Sequence, residues 1–141
     1  MWKARQRKRA LTGGFATVEV LVAVAIVVLI GTISILALGR SDRATLQSDV
    51  ASIALVLQQA RLQAAESGQP VLIEFSEENK TLRGGVAQHT LNRVVSSPTE
   101  SARVFIRPSG ENEGLNLVLV AGPHERAVEL DWLTGRVRVS P

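Results

Sequence analysis

The chain contains no cysteine and no tyrosine, and its 141 residues include only two Trp and three Phe. The absence of cysteine excludes a disulfide framework and a thiolate metal site, but it leaves the compartment open because many exported proteins lack cysteine. Charge is also missing from one long stretch, since residues 20–38 contain no Asp, Glu, Lys or Arg. An uncharged apolar run of this length is sufficient for a helix to cross a membrane.

Basic residues are concentrated at the start of the chain. Five Lys and Arg precede Gly14 with no acid among them, and the rest of the chain has 11 basic against 13 acidic residues, a net charge of −2. The overall charge of +3 therefore does not indicate a nucleic-acid-binding body. Only Arg40 and Arg43 follow the apolar run closely, so the positive-inside rule predicts a cytoplasmic N-terminus and an external body.

One carboxylate, Glu19, lies just inside the apolar segment formed by residues 15–38. A charged group in hydrocarbon costs several kcal/mol unless it has a partner, so Glu19 is a functional candidate. A cleavable secretory signal has an apolar region of about 7 to 15 residues, which is shorter than this run. An ordinary single-pass anchor explains the length but not the acid, unless Glu19 snorkels to the interface.

Residues 13–38 resemble the class III signal of type IV pilins and type II secretion pseudopilins. In that signal a short basic leader ends in Gly, followed by Phe, a Glu four residues later and an apolar helix; the corresponding residues here are Gly14, Phe15 and Glu19. The resemblance implies that a prepilin peptidase removes residues 1–14 by cutting after Gly14 and methylates the new amino group of Phe15. It also implies that the amine of an incoming subunit meets Glu19 of its neighbour during assembly.

Apolar residues continue at helical spacing beyond the apolar segment. They recur every three or four positions at Leu46, Val50, Ile53, Leu57, Ala60 and Ala64. This spacing predicts an amphipathic continuation, so that one helix extends from about Phe15 to Ser67. Gly68 and Pro70 form a strong stop signal.

The pattern of the remaining residues predicts short strands separated by turns. Six strands are predicted, at residues 71–75, 80–83, 103–107, 115–120, 127–131 and 136–139. Residues 84–102 are predicted to form a loop with little regular structure. The expected fold is α+β and pilin-like, with a long N-terminal helix packed on antiparallel sheet. Residues 15–38 would form its transmembrane half, 39–68 its amphipathic half and 69–141 a periplasmic β-rich domain.

Two later segments resemble the GspH/FimT group of these proteins. Residues 58–71 resemble its helix end and first strand, and residues 130–139 resemble its closing hairpin. The resemblance implies a minor pseudopilin at or near the tip of the periplasmic pseudopilus of type II secretion. Such a subunit is not an enzyme, needs no cofactor or metal, and has as partners the prepilin peptidase, other major and minor pseudopilins and the inner-membrane secretion platform. Two alternatives remain, a FimT-like minor type IV pilin acting in pilus assembly or DNA uptake and a single-pass anchored periplasmic domain.

Arg136 and Arg138 are a candidate nucleic-acid contact. Residues two apart on a strand share a face, and the Gly-Arg-x-Arg pattern is similar to one linked with DNA capture in competence-type FimT pilins. Two arginines neutralise only about two phosphates, so binding would be weak at physiological salt. The ordinary charged outer face of a closing strand is the favoured interpretation, with Val137 and Val139 turned inward, and nucleic acid is not an expected partner.

Three other side chains are interpreted as structural or solvated. His89 and His124 lie in predicted loops with no pattern of ligands or nucleophile nearby, which favours solvated histidines over a catalytic or metal site. Trp132 is predicted to fill the core beside Val128 and Leu130. No catalytic constellation is present.

Overall fold

The computed structural model describes the backbone of residues 7–141 and the side chains of residues 16–35 and 41–141. Within this part of the chain one helix, α1 (Arg7–Ser67), precedes seven strands. The strands are β1 (Val71–Ser76), β2 (Thr81–Gly84), β3 (Ala87–Thr90), β4 (Ser101–Ile106), β5 (Leu115–Ala121), β6 (His124–Leu130) and β7 (Val137–Ser140). Residues 1–6 of the predicted leader lie outside the described residues, and so does the side chain of Phe15 at the predicted cleavage site.

The chain divides into two compact units, Met1–Leu38 and Gly39–Pro141, and we call the second unit the body. The first unit contains Ala16–Ile35, a helical segment of 20 residues with a mean hydropathy of 2.7, which is long and apolar enough to cross a membrane. Two of its hydroxyl groups, those of Thr32 and Ser34, bond within the helix. Thr32 Oγ1 donates to a carbonyl 2.8 Å away and Ser34 Oγ to one 2.9 Å away, an arrangement suited to hydrocarbon, where no water can satisfy polar groups.

The body begins with the last part of α1, whose apolar stripe is buried. All six predicted stripe residues are at most 5% exposed: Leu46, Val50, Ile53, Leu57, Ala60 and Ala64. The helix ends where the sequence predicts. Gly68 has a φ of 67° and its N–H donates to the carbonyl of Ala64 at 3.0 Å, the usual left-handed C-terminal cap, and Pro70 follows.

Two antiparallel sheets complete the body. Sheet A has the strand order β3-β2-β1-β4, and sheet B has the order β5-β6-β7. Buried and more exposed residues alternate along β1 and β5, as expected for strands with one face on a core. A single apolar cluster joins the helix stripe to the inner faces of both sheets. The α+β architecture predicted from the sequence, an N-terminal helix packed on antiparallel sheet, is confirmed.

Residues 84–102 were expected to form a loop with little regular structure, and this prediction is wrong in part. They contain β3, which pairs with β2 and places Gln88 opposite Arg83, and β4 begins at Ser101. Ser96 also pairs with Val120 of β5, with N–H to carbonyl distances of 2.9 and 2.8 Å. The pattern was missed because β3 is an edge strand of Ala, Gln, His and Thr, with none of the apolar alternation that marks a half-buried strand.

Trp132 does not fill the core. It lies in the turn between β6 and β7 and is 63% exposed, because β6 ends at Leu130 and the alternation of inward and outward side chains stops there. The prediction for the last strand is half right. Val137 packs against the core, whereas Val139 is 49% exposed near the chain end.

Candidate assembly surfaces

The first candidate surface is the apolar segment around Glu19. All twelve Val, Leu and Ile side chains from Val18 to Ile35 are between 52% and 71% exposed within the structure. Burying such surface is worth about 25 cal/mol per Å², so the segment has a strong tendency to be covered by lipid or by other apolar helices. Glu19 is exposed among these side chains. Its predicted partner, the amine of Phe15, belongs to a residue whose side chain lies outside the described residues.

The second candidate surface lies on the part of α1 that belongs to the body, on the side away from the core. Seven exposed residues recur there at alternating intervals of four and three: Ala44, Ser48, Ala51, Leu55, Gln58, Leu62 and Ala65. We call this row the open seam. None of its members is charged, and Leu55 and Leu62 are 57% and 58% exposed. Five of the seven members are apolar, and helices that pack along one another carry apolar residues at this spacing.

Sequence reasoning did not identify the open seam. Most of the large apolar residues in this part of α1 belong to the buried stripe. The seam is composed mainly of small or uncharged residues. The available signal was the absence of charge along a second 3-and-4 repeat, which becomes visible only once the core-facing stripe has been assigned. An exposed helix face on a globular body is ordinarily charged, so this neutrality needs an explanation.

Arg136 and Arg138 are both exposed, but they do not form an isolated basic patch. Arg136 precedes β7, and its carbonyl accepts the N–H of Asp131 at 2.9 Å. Arg138 lies directly opposite Glu129 in the pairing of β6 with β7. Hydrogen bonds from Thr134, then that from Leu133 and the charge of Arg138, lower the pKa of Asp131, so this acid is ionised beside the pair. Acidic neighbours oppose phosphate binding at this strand.

His89 has a structural role rather than the predicted solvated one. It lies on β3, and its Nε2 is 2.9 Å from Oδ1 of Asp49, a helix residue that is only 5% exposed. Among the described residues there is no group of three or more His, Cys, Asp and Glu side chains that could hold a metal ion. His124 begins β6, not a loop.

The fold is shared with solved structures of filament subunits. The type IV minor pilin FimU of Pseudomonas aeruginosa is 17% identical over 72% of this chain and 92% of its own, with a TM-score of 0.57. The minor pseudopilin EpsH from the type 2 secretion system of Vibrio cholerae is 16% identical over 68% of this chain and 96% of its own, with a TM-score of 0.56. The chain has the pilin-like fold.

No protein-family model matches the sequence, and no curated protein matches it significantly. At 16–17% identity the structural likeness establishes the fold alone. The pilus subunit and the secretion subunit are also similar to this chain to nearly the same degree. The pilin-like fold therefore does not distinguish between the two kinds of filament.

Proposed function

We propose that this protein is a minor pseudopilin of the GspH type, a structural and non-enzymatic subunit at or near the tip of a type II secretion pseudopilus. The observation that carries the proposal is the combination of two uncovered helical surfaces in one pilin-like chain. One is the apolar segment containing Glu19, and the other is the open seam. A membrane alone can cover the first surface, and in this proposal partner helices cover the second.

Processing is the first step in this proposal. A prepilin peptidase cuts after Gly14 and methylates the amine of Phe15, while the chain is held in the inner membrane with its N-terminus in the cytoplasm. The new amine is positively charged, and Glu19 lies four residues away, about 6 Å along a helix. Glu19 then also lies near a helix N-terminus, where the aligned peptide dipoles favour negative charge.

Assembly is the second step. In a filament the helices of neighbouring subunits replace lipid around the apolar segment, and Glu19 neutralises the Phe15 amine of an adjacent subunit in a medium of low dielectric. The open seam of the body continues this helix packing outside the membrane. The partners are the other major and minor pseudopilins and the inner-membrane secretion platform, and the driving force is burial of apolar helix surface.

Replacing Glu19 with Val tests the role of the carboxylate in assembly. We expect the Glu19→Val variant to be inserted and cleaved but to be lost from filaments sheared or isolated from cells. Ser34→Val, a change in the same apolar segment, is the matched control and should leave incorporation unaffected. If Glu19→Val joins the filament at the wild-type level, the proposed assembly contact is wrong.

A minor type IV pilin is the second candidate, favoured by the equal likeness to FimU. Deleting the gene distinguishes the two candidates, because a pseudopilin is needed for protein export and a minor pilin for surface pili. DNA uptake is disfavoured by the position of Arg138 opposite Glu129. A gel-shift assay comparing the wild type with Arg136→Ala/Arg138→Ala tests it, and salt-sensitive binding lost in the variant would revive this alternative.

A further inference from the structure

The two sheets of the body have four outer edges, at β3, β4, β5 and β7. The backbone groups on such an edge can pair with a strand of another molecule, so folded proteins usually block them. Groups of the same molecule meet the edges of β4 and β5. The N–H of Phe105 on β4 donates to the Glu113 carboxylate at 3.0 Å, and Val120 on β5 exchanges two backbone hydrogen bonds with Ser96. The edge strand β3 is short and carries no large apolar side chain.

The open edge of β7 is different. The N–H of Asp131 donates to the carbonyl of Arg136 at 2.9 Å, so the backbone groups of Arg136 point toward β6. Because these directions alternate along an antiparallel strand, the N–H and C=O groups of Val137 and Val139 point away from β6. Within residues 7–141, whose backbone the structure describes, no hydrogen bond meets these four groups. They are available to a partner strand.

A hollow of about 290 Å³ lies beside this edge, between β7 and α1. Its lining includes Val139, which is 49% exposed, and Ala51, an exposed member of the open seam. Val139 is on the face of β7 toward the helix, because Val137, two residues earlier on the same face, packs against the core. A strand added to β7 would place side chains of that same face beside Val139 and over the hollow. The hollow also joins the β7 edge to the open seam, which the proposed function assigns to a neighbouring subunit.

The charges on the outer face of β7 are balanced. Arg136 and Arg138 lie on this face, and they are offset by Glu129, directly opposite Arg138, and by the ionised Asp131, which pairs with Arg136. On the face toward α1, Arg126 is the one charged residue that lines the hollow. This edge therefore suits a partner segment with apolar side chains and an oxygen acceptor near Arg126, and it does not call for a strongly acidic or basic partner.

We propose that an extended segment of a different subunit of the same filament adds to β7 as a strand, pairing with the backbone of Val137 and Val139. Its side chains on the face toward α1 are small or medium-sized and apolar, and they fill the hollow. In this mode of binding, main-chain hydrogen bonds supply affinity and the pockets for alternate side chains supply selectivity. The inference rests on the proposed function and adds the chemistry of the partner.

A second copy of this chain fits the edge less well. Antiparallel pairing of two β7 strands would relate the copies by a two-fold axis normal to the sheet. Since α1 packs on the sheets, this axis would reverse the direction of the helix in one copy. Subunits anchored in one membrane enter it from the same side, so a pair with opposed helices does not suit one filament.

Removing one N–H from the open edge tests the pairing in filaments. Val139→Pro deletes an outward N–H without removing a bond to β6, and proline is tolerated on sheet edges. We expect incorporation to fall at least about tenfold, as for a lost buried hydrogen bond. Val139→Thr keeps the N–H and the branched shape and should stay close to the wild-type level. Ser101→Pro is the matched control and should incorporate normally, because Ser101, like Phe105 on the same strand, directs its N–H outward from sheet A.

Amide hydrogen exchange tests the edge without a filament. The probe is a hexapeptide of alternating Thr and Val, added at about millimolar concentration to the full chain in detergent. Exchange of the Val137 and Val139 amides should slow at least about tenfold, while the outward amides of Ser101 and Arg103 stay unchanged. The same peptide with all its amides N-methylated is the control, and it should give no protection because it has no N–H to donate.

Each outcome decides for or against the inference. No slowing with the peptide, or equal slowing at Ser101 and Arg103, would overturn it. Slowing without peptide that increases with the concentration of the chain would assign the edge to a second copy and exclude a different subunit. If Val139→Pro enters filaments at the wild-type level, the inference fails and the proposed function stands. Absence of the wild type from filaments would instead contradict the proposed function, and the peptide result would still decide whether β7 accepts a strand.

Discussion

Nε2 of His89 lies 2.9 Å from Oδ1 of Asp49, although 40 positions separate the two residues. The other oxygen of Asp49 accepts the N–H of Asn92 at 2.8 Å. A buried helix carboxylate thus fixes both the edge strand β3 and the loop that follows it. Of these two elements, the sequence predicted the loop but not β3.

Removing the Asp49 carboxylate should destabilise the body. Asp49→Ala leaves two donors without an acceptor in a part-buried site, and we expect a loss of about 1–3 kcal/mol in the free energy of unfolding. His89→Ala should cost less, since Asp49 keeps its bond to Asn92. Urea unfolding of the full chain measures both, with exposed Glu66→Ala as the control. Equal losses of stability in all three variants would show that Asp49 does not hold β3 and the following loop against the helix.

The Asp131 turn should make stability depend on pH in the acid range. Hydrogen bonds from Thr134, followed by that from Leu133 and the charge of Arg138, lower the pKa of Asp131 below its ordinary value of 3.8. Its contribution is therefore fully present above pH 3.8 and is lost as pH falls through the pKa of the folded state. Asp131→Ala should lower Tm at pH 7, and the difference from the wild type should shrink by pH 2. If the difference in Tm between the variant and the wild type stays constant with pH, the ionised Asp131 carboxylate does not stabilise the turn.

Gly84 is required by close packing, not by its backbone angle. A Cβ at this position would lie 3.0 Å from Cβ of Ala60 and 3.1 Å from Cγ1 of Val56. We expect Gly84→Ala to separate β2 from the helix and to cost about 1–3 kcal/mol, the usual range for overpacking. Gly68→Ala is the contrasting control, because there the space is open and only the positive φ of 67° opposes a side chain. Thermal unfolding should show the larger loss for Gly84→Ala.

Charges on the open seam should block assembly without unfolding the body. Leu55 and Leu62 are exposed, so Leu55→Glu or Leu62→Glu should leave Tm within about 3 °C of the wild type, as for ordinary surface changes. Incorporation into filaments should fall several-fold, because an unpaired charge would be buried between helices. Gln59→Glu, exposed but outside the seam, is the matched control. Normal incorporation of the Leu variants would exclude the seam as an interface.

Much of the fold could be predicted from local pattern. The stripe from Leu46 to Ala64 and the stop at Gly68 follow from helical spacing and backbone freedom, and six of the seven strands follow from apolar runs bounded by turns. β3 could not be predicted in this way, since its polar residues are held by pairing with β2 and by the distant Asp49. Such contacts depend on tertiary structure and produce no periodic pattern of apolar residues in the sequence.

The candidate surfaces were predictable to different degrees. Glu19 is identifiable from its neighbours alone, because an acid in an apolar run is costly wherever the chain folds. Trp132 was misplaced because β6 ends two residues before it, at Leu130, and the turn that follows is held by the hydrogen bonds that Asp131 accepts from Leu133 and Thr134. The open seam could be recognised only after the core-facing stripe of α1 was known.

Mass spectrometry of the mature N-terminus tests the central claim most directly. The protein isolated from cells that contain a prepilin peptidase should begin at Phe15 and carry one additional methyl group on its amine, and Gly14→Ala should serve as an uncleaved control. A chain that keeps residues 1–14, or that begins at any other position, would contradict the assignment of Glu19 as the partner of a newly formed amine and, with it, the proposed filament role.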